Sequence, residues 1–188
     1  DENSTVTVSG NTGSAENTNE TGYYVSDEAT LQQALKDAPA GTVIKLVKDI
    51  PYTESISITK NSITIDGQGH SLTLTSQLQS GAFITATGNN VTLKNLTVNA
   101  NGMAKHGIEY YCTDGGTIDR VTVNGGYWTS IQANGAKNLT IKNCTTRPEY
   151  VKSQSTYNAN IEYAMGEHVT VVPSVEISNV DWDQSYPL

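Results

Sequence analysis

The sequence predicts an all-β fold in which short strands stack turn upon turn into a solenoid, behind one N-terminal helix. Two recurring strand phrases and an unusual composition predict it. The first phrase reads Ile63-Thr64-Ile65-Asp66-Gly67, Val91-Thr92-Leu93-Lys94-Asn95-Leu96, Thr117-Ile118-Asp119-Arg120-Val121, Leu139-Thr140-Ile141-Lys142-Asn143-Cys144 and, more loosely, Val175-Glu176-Ile177-Ser178-Asn179-Val180. Each copy alternates apolar and polar residues, the period-two pattern of a strand with one buried face. With Ile65, Leu93, Ile118, Ile141 and Ile177 equivalent, the steps are 28, 25, 23 and 36 residues. A second phrase precedes each copy, around Ile84, Ile108, Ile131 and Ile161, with steps of 24, 23 and 30 residues. Two families advancing together suit a coil with several flat faces, because one unit cannot bury its apolar side alone.

Composition agrees. The 188 residues include a single Phe among abundant Thr, Asn, Ser and Gly, so the core has to come from Ile, Val, Leu and Ala. That length gives one domain plus a tail. A net charge of −8 and a pI near 4.7 argue against nucleic acid and anionic membranes as partners, and against polyanionic substrates unless cations bridge the two. No apolar run approaches the roughly 18 residues a membrane span needs, so membrane insertion is not expected. The chain begins at Asp1 with no Met or leader, as a trimmed secreted protein would. Two cysteines make no disulfide framework. Cys144 shares the inward register of Leu96, Val121 and Val180, and both thiols are expected to be buried and unpaired.

Taken in order, residues 1–22 are Ser, Thr, Asn, Glu and Gly with little apolar content, which predicts a flexible spacer. Within it Thr5-Val6-Thr7-Val8 is the one strand-like run. From residue 23 onward the β-helix domain is expected to run to 188. Leu31, Ala34, Leu35 and Ala38 follow helical spacing, so a helix of about 30–38 is predicted, with Thr30 and Gln33 as its capping box and Pro39 and Gly41 ending it. It should cover the open first turn. Val43–Val47 and Ile56–Ile58 then begin the coil. Near the C-terminus Val169-Thr170-Val171 competes with Val175-Glu176-Ile177 for the last rung. Asn95, Asn143 and Asn179 fall in one column two residues past the buried Leu93, Ile141 and Ile177. Asn tolerates left-handed backbone and can bond to its neighbour in the next turn, so the column should be a ladder at a sharp corner. Gly67 and Arg120 interrupt it. Gly67 suits a corner, whereas Arg120 is not an obvious choice. The Asn-x-Ser/Thr matches at Asn3, Asn19, Asn90, Asn95, Asn138 and Asn143 are read as products of composition rather than glycosylation sites.

The stretch Glu28–Leu35, then Ala40–Leu46, then Ile63–His70 resembles the opening of pectate-lyase-like proteins, and more narrowly the β-helix modules of bacterial cell-surface and secreted proteins. The resemblance covers about residues 23–182. It implies a right-handed, single-stranded parallel β-helix, and the repeats give it about six short turns behind the N-terminal capping α-helix. It also implies catalytic marks that this chain lacks. The lyases use an Arg or Lys base beside clustered acidic calcium ligands. The hydrolases carry Asn-Thr-Asp, an Asp-Asp pair and Gly-His-Gly. Asp119-Arg120 comes nearest to the first, but side chains adjacent on a strand diverge.

The residues following each Ile of the second phrase form one outward column, Thr85, Glu109, Gln132 and Glu162. Glu109 and Glu162 would lie two turns apart, about 9 to 10 Å between backbones, near the wide end of the carboxyl separation of inverting glycosidases, roughly 6.5 to 9.5 Å. The plainer reading is a solvated polar face. Arg147 and Lys152, in a stretch expected to be a loop, are further catalytic candidates. Tyr111, Trp128, Gln132, Tyr150 and Tyr157 are the candidate ligand contacts, since Tyr and Trp present flat apolar faces with a polar edge that suits sugar rings. His70, His106 and His168 show no ligand spacing, so no metal site is expected; a calcium site between Glu109 and Glu162 is an option weakened by the intervening Gln132. Nothing requires a cofactor or specifies an oligomeric state. Three functions follow: a non-catalytic, extracellular or surface-attached module binding a polysaccharide or cell-surface ligand; a small polysaccharide lyase or glycoside hydrolase; or a structural spacer, or fragment of a longer β-helix.

Overall fold

The computed structural model describes residues 22–149, 158–166 and 169–186. The strand-like run at Thr5–Val8 and nearly all of the N-terminal spacer lie outside them. The described residues form a parallel β-solenoid of about five turns with a single short helix near its N-terminal end. The repeats alone suggested about six. Behind an N-terminal edge strand, six rungs stack on the first face, and six rungs enclose five intervals.

Each turn lays down strands on up to three faces. The first face holds β2 (Val43–Leu46), β5 (Thr64–Asp66), the leading halves of β8 (Thr92–Asn99) and β10 (Thr117–Asn124), then β12 (Leu139–Lys142) and β15 (Val175–Ser178). The second holds β3 (Ile50–Tyr52), β6 (Ser71–Leu74), the trailing halves of β8 and β10, then β13 (Thr145–Arg147) and β16 (Asp181–Trp182). The third is a separate sheet of β4 (Ile56–Ile58), β7 (Ala82–Ala86), β9 (His106–Tyr111), β11 (Thr129–Asn134) and β14 (Ala159–Ala164). Both recurring phrases keep their expected register. Ile65, Leu93, Ile118, Ile141 and Ile177 align, as do Ile84, Ile108, Ile131 and Ile161. Val175-Glu176-Ile177 supplies the last rung, and residues 169–171 form no strand. The second face was not foreseen as a strand family. Its strands begin only two or three residues past the Asn corner, so in the sequence they merge with the first phrase.

Stacking places like residues over like. Ile44, Ile65, Leu93, Ile118 and Ile141 fill one inward column, Ile50, Leu72, Val98 and Val123 a second, and Ile56, Ile84, Ile108, Ile131 and Ile161 a third. Each buried aliphatic side chain contributes roughly 1.5 to 3 kcal/mol. Cys144 is buried as expected, but Cys112 sits exposed at a left-handed corner (φ 53°), where the chain leaves the third face; both thiols are free.

The helix α1 (Glu28–Asp37) buries Leu31 and Ala34 in the core and packs against β3, β4 and β1 (Tyr23–Val25), which extends the first sheet by pairing with β2. It starts earlier than predicted. Asp27, not Thr30, is the N-cap: its carboxylate accepts the Thr30 N–H at 2.8 Å, while the Thr30 hydroxyl accepts the Asp27 N–H at 3.1 Å. At the other end Asn160 is buried among the inward side chains. Its amide donates to the carbonyls of Asp183 (2.9 Å) and Tyr186 (3.1 Å) and its oxygen accepts the Asp183 N–H, tying residues 183–186 to the last turn.

Candidate functional site

Two polar surfaces arise from this stacking. One is the corner between the first and second faces. Asn95, Arg120, Asn143 and Asn179 all adopt left-handed backbone there, with φ of 50°, 55°, 55° and 49°. Asn179 donates to Asn143 (2.8 Å), Asn143 to Asp119 (2.9 Å) and Asn95 to Asp66 (3.1 Å). Gly67 fits the same column because a Cβ there would lie 2.5 Å from the Asn95 carbonyl oxygen. Arg120 keeps the turn and continues the ladder through its own side chain, with Nε donating to Asn95 Oδ1 and Nη1 pairing with Asp119, both at 2.8 Å. The expectation that Asp119 and Arg120 diverge is therefore wrong. The left-handed turn at Arg120 swings the two side chains together, where continuous strand would have sent them apart. Burial pushes the Asp66 carboxyl up, but hydrogen bonds from the Gln68 N–H and the Asn95 amide, with Lys94 at 3.4 Å, leave it below the ordinary carboxylate range.

The other surface is the outer side of the third face. Ser57, Thr85, Glu109, Gln132 and Glu162 stand in register on five successive rungs. The structure places the column where the sequence predicted but sinks it deeper. Gln132 is buried, while Glu109 and Glu162 are half-buried. Gln132 donates to Glu162 at 2.8 Å and Asn134 to Glu109 at 3.3 Å. Burial raises the Glu109 carboxyl above its ordinary value, against the lowering effect of Asn134 and Lys105. Tyr111 follows Glu109 two residues along the same strand, in register with Asn134, and is exposed. Trp128 lies just ahead of β11, half-buried, with the Lys105 ammonium 4.7 Å from its ring centroid. Asn134 and Lys105 join this surface without having been singled out. Asn134 falls one alternation beyond Gln132, a position the sequence does indicate; Lys105 lies in a turn and carries no such signal.

The remaining candidates separate. Arg147 is not in a loop: it ends β13, above Asn124, where its guanidinium pairs with Asp181 at 2.7 Å and donates to the Thr146 carbonyl. Asp181, from the following turn, holds that guanidinium at the edge of the second face. Lys152, Tyr150 and Tyr157 lie outside the described residues, as does His168. Among the described residues no group of three His, Cys, Asp or Glu side chains could hold a metal ion, so the calcium option has no ligand cluster there. Nor is any described helix long and apolar enough to cross a membrane. A surface cleft of about 510 Å³ opens beside the first corner, lined by Asp66, Gln68, Asn95, Thr97, Arg120 and Thr122 among others.

A family model described as a pectate lyase-like adhesive domain matches residues 22–172. No curated protein and no solved structure matches the chain.

Proposed function

The chain belongs to the pectate lyase-like adhesive domain family, and on that basis we propose that it is a non-catalytic, extracellular adhesion module. It binds a polysaccharide or other cell-surface ligand through the outer side of its third face. The observation that carries this reading is the in-register column from Thr85 to Glu162 with Tyr111 beside it. Rungs about 4.8 Å apart repeat hydrogen-bonding groups along a line, and an extended glycan meets such a row with a hydroxyl at each step. Tyr111 and the half-buried Trp128 add flat apolar surface at its border. Lys105, seated over Trp128, keeps a cation against the indole face, an arrangement that fixes the ring's orientation.

The carboxylates favour adhesion over catalysis. Each accepts a hydrogen bond from an amide of the same surface, Gln132 or Asn134, and so takes part in a polar ladder. The Arg147 candidate base is engaged by Asp181 on another face. A glycan array tests the reading. Wild-type protein should bind at least one polysaccharide, and Tyr111→Ala and Trp128→Ala should each weaken binding tenfold or more. Unchanged binding in both variants would sink this surface as the contact. Release of reducing ends or unsaturated products, abolished by Glu109→Gln or Glu162→Gln, would replace adhesion by catalysis.

A further inference from the structure

The cleft at the first corner lies away from the third face, at the one corner that face does not border, and the adhesion reading makes no use of it. Among its lining residues is Arg120, which breaks the Asn column yet adopts the same left-handed conformation as Asn95 and Asn143. Asn tolerates that region far better than Arg, whose Cβ crowds the backbone at a cost of about 1 kcal/mol or more. Gln68, which also lines the cleft, is left-handed too, at φ 54°, followed by Gly69 at 88°. The conformation itself is that of the other corner residues, so what sets Arg120 apart is its side chain, which surrounding structure fixes in place. Here the fixing is visible. Nε and Nη1 of Arg120 are committed to Asn95 and Asp119, and among the described residues Nη2 takes no hydrogen bond. The fork is thus oriented with one donor edge unspent and its side chain about half exposed.

The charges around the cleft pair off, Arg120 with Asp119 and Lys94 with Asp66, so the site offers neither a net cation nor a net anion. What it offers is a polar lining: the remaining Arg120 donors, the Gln68 amide and the Thr97 and Thr122 hydroxyls, beside an Asn95 amide and an Asp66 carboxylate already bonded to one another. A volume of about 510 Å³ is within the range of small-molecule clefts, roughly 300 to 1,000 Å³. We propose that this corner cleft is a second binding site, separate from the third face, and that it takes a neutral saccharide unit whose vicinal hydroxyls are gripped by Arg120. A second site on another face would let one module engage two chains, or two stretches of one chain, raising avidity without any stronger single contact.

The test is an amide-resolved NMR titration of the 188-residue chain with maltose, cellobiose and lactose, and with glucuronate as the charged comparator. At least one neutral disaccharide should shift the amides of Gln68, Asn95, Thr97, Arg120 and Thr122, with an affinity unchanged between 50 and 500 mM salt. Arg120→Asn should abolish those shifts while its melting temperature stays equal or rises, because the substitution supplies the residue the column otherwise uses. Tyr111→Ala should leave the shifts intact. The proposal is overturned if no neutral disaccharide shifts these amides, or if the shifts survive Arg120→Asn. It is equally overturned if Arg120→Asn lowers the melting temperature by several degrees, which would make the arginine a structural strut. Tighter binding of glucuronate that fades with salt would identify an anion site instead. Shifts confined to the third face would reject the corner and leave the adhesion reading standing.

Discussion

At the scale of single residues, the positions that matter most are those where one side chain serves two turns. Asn143 is the clearest, accepting from Asn179 and donating to Asp119 while holding a left-handed turn. Asn143→Ala removes both bonds and places Ala at φ 55°, so a loss of about 2 to 3 kcal/mol in denaturant unfolding is expected. His106 matters in another way. Its ring is buried against the Thr129 hydroxyl at 2.8 Å, and burial, with Lys105 adding to it, pushes its pKa from 6.5 down to about 3. The unfolded chain therefore takes up a proton that the native ring refuses. Stability from this group is fully present above pH 6.5 and falls as pH drops toward 3, by roughly 1.4 kcal/mol per pH unit at most. Replacing it by His106→Gln should flatten that part of the profile relative to wild type. Parallel profiles for the two proteins would mean that His106 is not the group responsible. Glu109 acts with the opposite sign. Its raised pKa favours the native state below the ordinary Glu value, and the benefit is lost as pH rises through the native one.

Among the elements, α1 has the most specific task. A solenoid's first rung exposes unpaired backbone and apolar side chains, and the helix covers them with Leu31 and Ala34. Leu31→Ala should cost about 2 to 5 kcal/mol through the cavity it leaves. Asp27→Ala should cost about 1 kcal/mol through the lost cap. Equilibrium unfolding of the two variants distinguishes them, and similar small losses in both would show that α1 is not an integral cap. The helix was legible in the sequence from its i, i+3, i+4, i+7 spacing. Its start is less legible because Thr30 is a good N-cap by type, and only the structure shows its hydroxyl serving the N–H of Asp27 from inside the helix. Arg147 departs from the loop its sequence context predicts for a similar reason. The following Pro148 suggests a loop, but the strand ends one residue earlier, in register with Asn124.

For the molecule as a whole, each rung touches only its neighbours, so stability should vary along the axis as a nearest-neighbour sum. The strands β8 and β10 pair with rungs above and below and run through both of the first two faces. By contrast β15 and β16 have a described partner on one side only, and the inward Ile177 and Val175 remain half-exposed. Hydrogen exchange should be slowest in β8 and β10 and fastest in β15 and β16. Leu93→Ala should cost over 2 kcal/mol and Ile177→Ala about 1 kcal/mol or less. Uniform protection from β2 to β15 would contradict the nearest-neighbour picture.

By itself the sequence determined the stacked-strand architecture, the register of two faces, the inward place of Cys144 and the outward column from Thr85 to Glu162. These follow from side-chain alternation and repeat spacing, which are local and periodic, and stacking turns a period in the chain into a column in space. Tertiary structure alone decided how Arg120 meets Asp119 and Asn95, how far Gln132 is buried, that Cys112 is exposed, and that a cleft opens at the corner. Each of these depends on where a left-handed residue turns the backbone and on which side chains of adjacent turns then reach one another. Residues 25 positions apart in the chain become touching neighbours at that corner, as Arg120 and Asn95 do, and no local pattern records the contact.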